Sequence, residues 1–93
     1  MIVGTVVVDL NLPGINSLKE KRRRLKSLLA RIKNKFNVSI AEVDFNDNHR
    51  MARLGAAVVS NDTAHADRMI SRVVGIINSE PEIIMTDYRV EIL

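Results

Sequence analysis

The stretch SLKEKRRRLKSLLARIKNKF, Ser17 to Phe36, must bury one stripe while carrying nine of the chain's 14 Lys and Arg residues. Leu18, Leu25, Leu28, Leu29, Ile32 and Phe36 recur at the three-, four- and seven-residue steps that line one side of a helix. Ser17 followed by Glu20 has the spacing of a capping box, in which each side chain satisfies an amide left free at the helix start. At 100° per residue, Lys19, Arg23, Arg24 and Arg31 fall opposite the stripe, with Lys26, Lys33 and Lys35 on its flanks. Lys21 and Arg22 sit at its borders, where their stems are expected to lie on apolar surface and send the charge to water.

These cations oppose the helix that holds them. Positive charge near an N-terminus works against the dipole, and like pairs such as Lys19 with Arg23 each cost roughly 0.2–0.5 kcal/mol. A purely structural surface helix would mix Glu with Lys, so the excess points to an acidic partner.

Working outward, Met1 to Leu12 alternates with apolar residues on most of both faces and ends at Pro13-Gly14, a turn. Val38 to Phe45 is the next strand, with Ala41, Val43 and Phe45 expected on one face and Ile40, Glu42 and Asp44 on the other. Asn46 to His49 turns the chain into Met51 to Val59, small and apolar on both faces. Ser60-Asn61-Asp62 offers three possible caps for a second helix, striped by Ala66, Met69, Ile70, Val73, Val74 and Ile77 and ending near Ser79. Ile83 to Leu93 closes the chain as a strand, with Ile84, Thr86, Tyr88, Val90 and Ile92 expected inward.

The order is βαββαβ. VGTVVVD (3–9) and LGAAVVS (54–60) echo each other, each leading through a capped turn into an amphipathic helix. Two such interleaved halves make an α+β ferredoxin-like sandwich: a four-stranded antiparallel sheet, order 4-1-3-2, with two helices on one face. The two strands apolar on both faces are then central and the two charged ones form the edges. Ninety-three residues make a single domain, 1–93.

On this layout Asp9, Glu42, Asp44, Asp87 and Glu91 are expected on the open face of the sheet, with Arg89 as the main cation. With only Phe36, Phe45 and Tyr88 as aromatics, the sheet is a poor platform for stacking RNA bases. A polyanion should therefore meet the first helix, through Lys19, Arg23, Arg24, Lys26, Arg31 and Lys33. Val3, Val7, Ile40 and Val59 read as an apolar patch on the acidic face, the expected interface of a homodimer.

Nothing in the sequence supports catalysis, and no cofactor or metal is expected. Zero Cys removes thiolate chemistry. His65 near Asp62 is read as local capping, and His49 has no companion ligands. The Pro13-Gly14 loop is similar to the ligand loop of amino-acid-sensing ACT domains, which leaves an ACT-like sensor as an alternative, while the glycine-rich anion loop of acylphosphatases is missing. No apolar run approaches a membrane span and no basic secretory start is present, so the expected location is cytoplasmic.

MIVG at the start, SLKEKR (17–22), FNVSIAEV (36–43) and VVSND (58–62) with His65-Ala66-Asp67 together resemble the YlxP-like family of small bacterial proteins. The resemblance spans essentially the whole chain. It implies a ferredoxin-like fold and, from gene neighbourhoods, an association with translation initiation and ribosome maturation factors; it brings no catalytic residues. Some relatives carry an aromatic between the middle strands, where this chain has Asn46 to Arg50. The expected function is a non-enzymatic accessory protein that binds RNA or a ribosomal particle; the alternative is a homo-oligomeric module docking its basic helix on acidic protein surface.

Overall fold

A computed structural model describes all residues from Met1 to Leu93. The elements are β1 (Ile2–Asn11), α1 (Leu18–Lys35), β2 (Ser39–Asp44), β3 (Met51–Ser60), α2 (Thr63–Asn78) and β4 (Ile84–Ile92). All pairs are antiparallel in the order β2-β3-β1-β4, the expected 4-1-3-2 read from the other edge. The central strands β1 and β3 bury Val6, Val8, Leu10, Ala52, Leu54, Ala56 and Val58 beneath the helices.

Each helix starts where its cap stands. Ser17 Oγ accepts from the Glu20 amide at 3.1 Å, while the Glu20 carboxylate reaches the Asn16 amide at 3.5 Å. For α2 the cap is Asp62, which accepts from the Ala64 amide at 3.1 Å. Leu25, Leu28 and Ile32 of α1 and Ala66, Ile70, Val73 and Ile77 of α2 are buried. Gly4 permits the close approach of α2 to β1: a Cβ there would stand 3.2 Å from Val58 Cγ1 and 3.4 Å from both Ala66 and Ile70.

Three expectations need correction. In β2, Ile40 pairs with Ala56 and is 4 % exposed, so it belongs to the core and lies outside any interface on the open face. Glu42 shares that side, leaving Ala41 and the exposed Val43 on the open face. The cause is a partner for Glu42 beneath α1, the Lys21 ammonium, and a bulge between Glu42 and Asp44 that returns Asp44 to the open side. In β4 a register shift at Asp9/Leu10 puts Met85 opposite Leu10, half-buried, and leaves Ile84 exposed. Tyr88 and Val90 share the helix side as expected, yet they stand on the outermost strand and remain 51 % and 42 % exposed.

The third correction is Lys21, whose side chain is fully buried. Its ammonium donates to the carbonyls of Phe45 at 2.7 Å and Asn48 at 2.6 Å and lies 2.7 Å from Glu42 Oε2. A buried ammonium needs acceptors in this number. The β2–β3 loop supplies them: Phe45 adopts φ 63°, and Asn48 Oδ1 accepts from the amides of Arg50 and Met51, so both carbonyls converge on the lysine.

Candidate nucleic-acid interface

The cations of α1 divide by flank. With Leu25 as zero, Arg22, Lys33, Lys26, Lys19 and Arg23 fall at about 60°, 80°, 100°, 120° and 160°, whereas Arg31 and Arg24 fall at about 240° and 260°. Arg31 and Arg24 are paired with carboxylates, while Lys35, at about 280° on the same flank, stands over the Phe36 ring. Arg31 Nη2 reaches Glu80 at 2.6 Å, and Arg24 donates to Glu82 at 3.1 Å and to the Pro81 carbonyl at 2.9 Å. Together they tie α1 to the α2–β4 loop, where Glu82 holds the left-handed value φ 67°.

The first group has no carboxylate partner within the protein. Arg22, Lys26 and Lys33 line the side of α1 that faces β2, while Lys19 and Arg23 stand further round, beside Ser17 and Glu20 at the helix start. On the β2 side runs a groove of about 400 Å³ whose floor is Leu25, Leu29 and Ala30 and whose wall carries Arg22, Lys26 and Lys33. Glu42 closes one end, with Lys21 against its carboxylate. Lys33 also borders a second cleft, with Asn37, Val38 and Ser39, that leads round the edge to Ala57 and Val59. Of the six cations expected to contact polyanion, Lys19, Arg23, Lys26 and Lys33 are thus on one free flank and Arg24 and Arg31 are on the other. Arg22 joins the free flank, although the sequence places it as a snorkelling border residue.

The open sheet face is less acidic than expected. Glu42 is absent from it, and Arg53, paired with Asp9 across β1 and β3, is added. Arg53 donates to Asp9 at 2.6 Å and Asp44 at 3.2 Å, and Arg89 reaches Asp9 at 3.4 Å and Asp87 at 2.9 Å. The Arg53 hydrogen bond, helped by Arg89, holds the Asp9 carboxyl below the ordinary carboxylate value against some desolvation. Arg53 also stacks over Phe45, 4.9 Å from the ring centre. Val3, Val7, Gly55, Ala57, Val43 and Val59 share the face with Thr5, Ala41 and Glu91, the last without a salt bridge, and Val59 is 64 % exposed.

The sequence matches the family described as "Protein of unknown function (DUF503)" over residues 3–90. It is also 44 % identical over 75 residues, 81 % of this chain and 82 % of the relative, to the "Uncharacterized protein YlxP" of Bacillus subtilis (strain 168). The chain belongs to this DUF503, YlxP-like family. The family match runs through α1 and both central strands, and neither description names an activity.

One contact in this DUF503 chain carries no clear signal in the sequence. Ser60 Oγ lies 3.0 Å from His65 Nδ1, because the cap turn folds position 60 back over the first turn of α2. The same hydroxyl donates to the Asp62 carbonyl and accepts the Asp62 amide, which makes it part of the helix start. The Pro13-Gly14 turn links buried Leu12 and Ile15. No helix is long and apolar enough to cross a membrane.

Proposed function

We propose that this protein is a non-enzymatic accessory factor that binds RNA through the β2-facing flank of α1, in the translation or ribosome-maturation context that the family resemblance implies. One observation carries the reading: five cations, Lys19, Arg22, Arg23, Lys26 and Lys33, share one side of a helix without an internal carboxylate, while Glu80 and Glu82 of the α2–β4 loop neutralise Arg24 and Arg31. A structural role for the five would call for the treatment given to the other two. Phosphates supply the missing counter-charge, with little demand on sequence.

The test is a gel-shift with ribosomal RNA fragments, comparing the native protein with the pair Arg23→Glu, Lys26→Glu. Retardation by the native protein and its loss in the variant support the reading; equal retardation by both removes it.

A second reading is homodimerisation through the open sheet face. It is favoured by the exposed Val43 and Val59 beside half-buried Val3 and Val7, and by the pairing of Asp9, Asp44 and Asp87 with Arg53 and Arg89, which lowers the cost of covering those charges. Sedimentation equilibrium reads it: a dimer that becomes a monomer in Val43→Lys, Val59→Lys supports it, and a native protein still monomeric at about 100 μM rejects it. Neither Pro13 nor Gly14 lines a cleft, and the cleft at the end of their loop is lined by Ser17, Lys19, Glu20 and Arg23.

A further inference from the structure

The groove beside α1 runs along a sheet edge whose hydrogen-bonding groups are open. Val3 exchanges both its amide and carbonyl bonds with Leu93, so odd residues of β1 turn toward β4 and even residues toward β3. The β1–β3 register then turns Ala56 and Val58 toward β1 and Gly55 and Ala57 toward β2. Opposite them stand Ala41 and Ser39, which leaves the backbone N–H and C=O of Ile40 and Glu42 directed out of the sheet, since β2 is the outer strand. Of these two donor–acceptor pairs, that of Glu42 borders the groove with its apolar floor and cationic wall, and that of Ile40 lies further along the same edge.

Resting on the RNA reading above, we infer that the RNA is engaged as a single strand. Its phosphates track Arg22, Lys26 and Lys33, and unstacked bases enter the groove to meet the free edge of β2. Arg22 to Lys26 spans about 6 Å along the helix axis and Lys26 to Lys33 about 10 Å, steps of one to two nucleotides. An unpaired base presents donors and acceptors on its edge that suit the backbone groups of Ile40 and Glu42, and apolar surface that suits Leu25 and Leu29. A duplex keeps its base edges inside and reaches only the outer cations, Lys19 and Arg23.

The same edge is poorly made for an acidic polypeptide. The bulge after Glu42 ends the regular run, leaving two outward residues where strand addition needs a longer ladder, and the Glu42 carboxylate lies at the groove. A base needs one such pair.

Fluorescence anisotropy with the full chain compares a fluorescein-labelled mixed-sequence single-stranded decamer RNA, the same sequence as a duplex, and polyglutamate of equal charge. At least tenfold tighter binding of the single strand is expected, with Arg22→Glu weakening it about tenfold and the duplex less than twofold. Ala30→Glu, an exposed change at the groove floor, gives the same pattern and guards against misfolding of the first variant. In nitrogen-15 correlation spectra the single strand moves the Ile40 and Glu42 amides. Preference for duplex, or shifts confined to Lys19 and Arg23, overturns the inference and leaves the RNA reading intact. No binding of either RNA overturns both, and polyglutamate binding that matches RNA and shares the Arg22 dependence replaces RNA with an acidic protein.

Discussion

An ammonium shut away from water must find its acceptors inside the fold, and Lys21 finds them in two loop carbonyls and Glu42. Removing one partner of a buried pair costs about 3–5 kcal/mol, because the other charge stays behind unpaired. Urea denaturation of Lys21→Met is expected to show a loss of that size, and Lys21→Met with Glu42→Leu recovers part of it. Nothing in the run Lys19 to Lys26 distinguishes Lys21 by chemistry. Its position at the stripe border was legible, but its burial depends on Glu42 facing α1, and the alternation of β2 alone allowed either face. Asp9 makes a second case. Its folded pKa is depressed below 3.8, so the stabilisation from Arg53 and Arg89 is complete above about pH 4 and is lost as pH falls through the folded value. Thermal unfolding of native and Asp9→Asn protein should differ at pH 7 and converge in acid.

Helices and central strands were written plainly, because period 3.6 with a cap, or apolar residues on both faces, admits one interpretation. Edges were harder. A bulge shifts one residue and inverts the facing of those beyond it, which puts Ile84 on the side opposite to the one its alternation suggests. Ile40, ahead of the β2 bulge, keeps its alternation but faces the helices, because a strand edge gives no second apolar face to choose between the two. Gly4 illustrates the opposite case, where a single position reports packing directly. Gly4→Ala presses a methyl between Val58, Ala66 and Ile70, and an overpacking loss of about 1–3 kcal/mol is expected in chemical denaturation. The two flanks of α1 make a further prediction. Arg24→Glu with Arg31→Glu should lower the melting temperature, since Glu80 and Glu82 lose their partners and gain like charges, while leaving RNA affinity less affected. Lys19→Glu with Arg23→Glu should do the reverse.

Across the whole molecule, the sign of charge is sorted by surface. The open face of the sheet pairs Asp9, Asp44 and Asp87 with Arg53 and Arg89 and leaves Glu91 without a salt bridge, the α2–β4 loop settles Arg24 and Arg31, and one flank of α1 is left with five cations and no internal counter-ion. The excess was visible in the sequence, whereas its division between flanks required the position of the loop holding Glu80 and Glu82. Counter-ion release measures such a surface directly. Five phosphate contacts with a single strand give a log–log slope of about −3.5, a fall in affinity of about 100-fold between 50 and 200 mM salt. Titration of ribosomal RNA across that range, for the native chain and for Arg23→Glu, Lys26→Glu, is expected to show that fall in the native protein and a weaker, flatter dependence in the variant. Affinity unchanged by salt, or a variant indistinguishable from the native chain, would contradict the account.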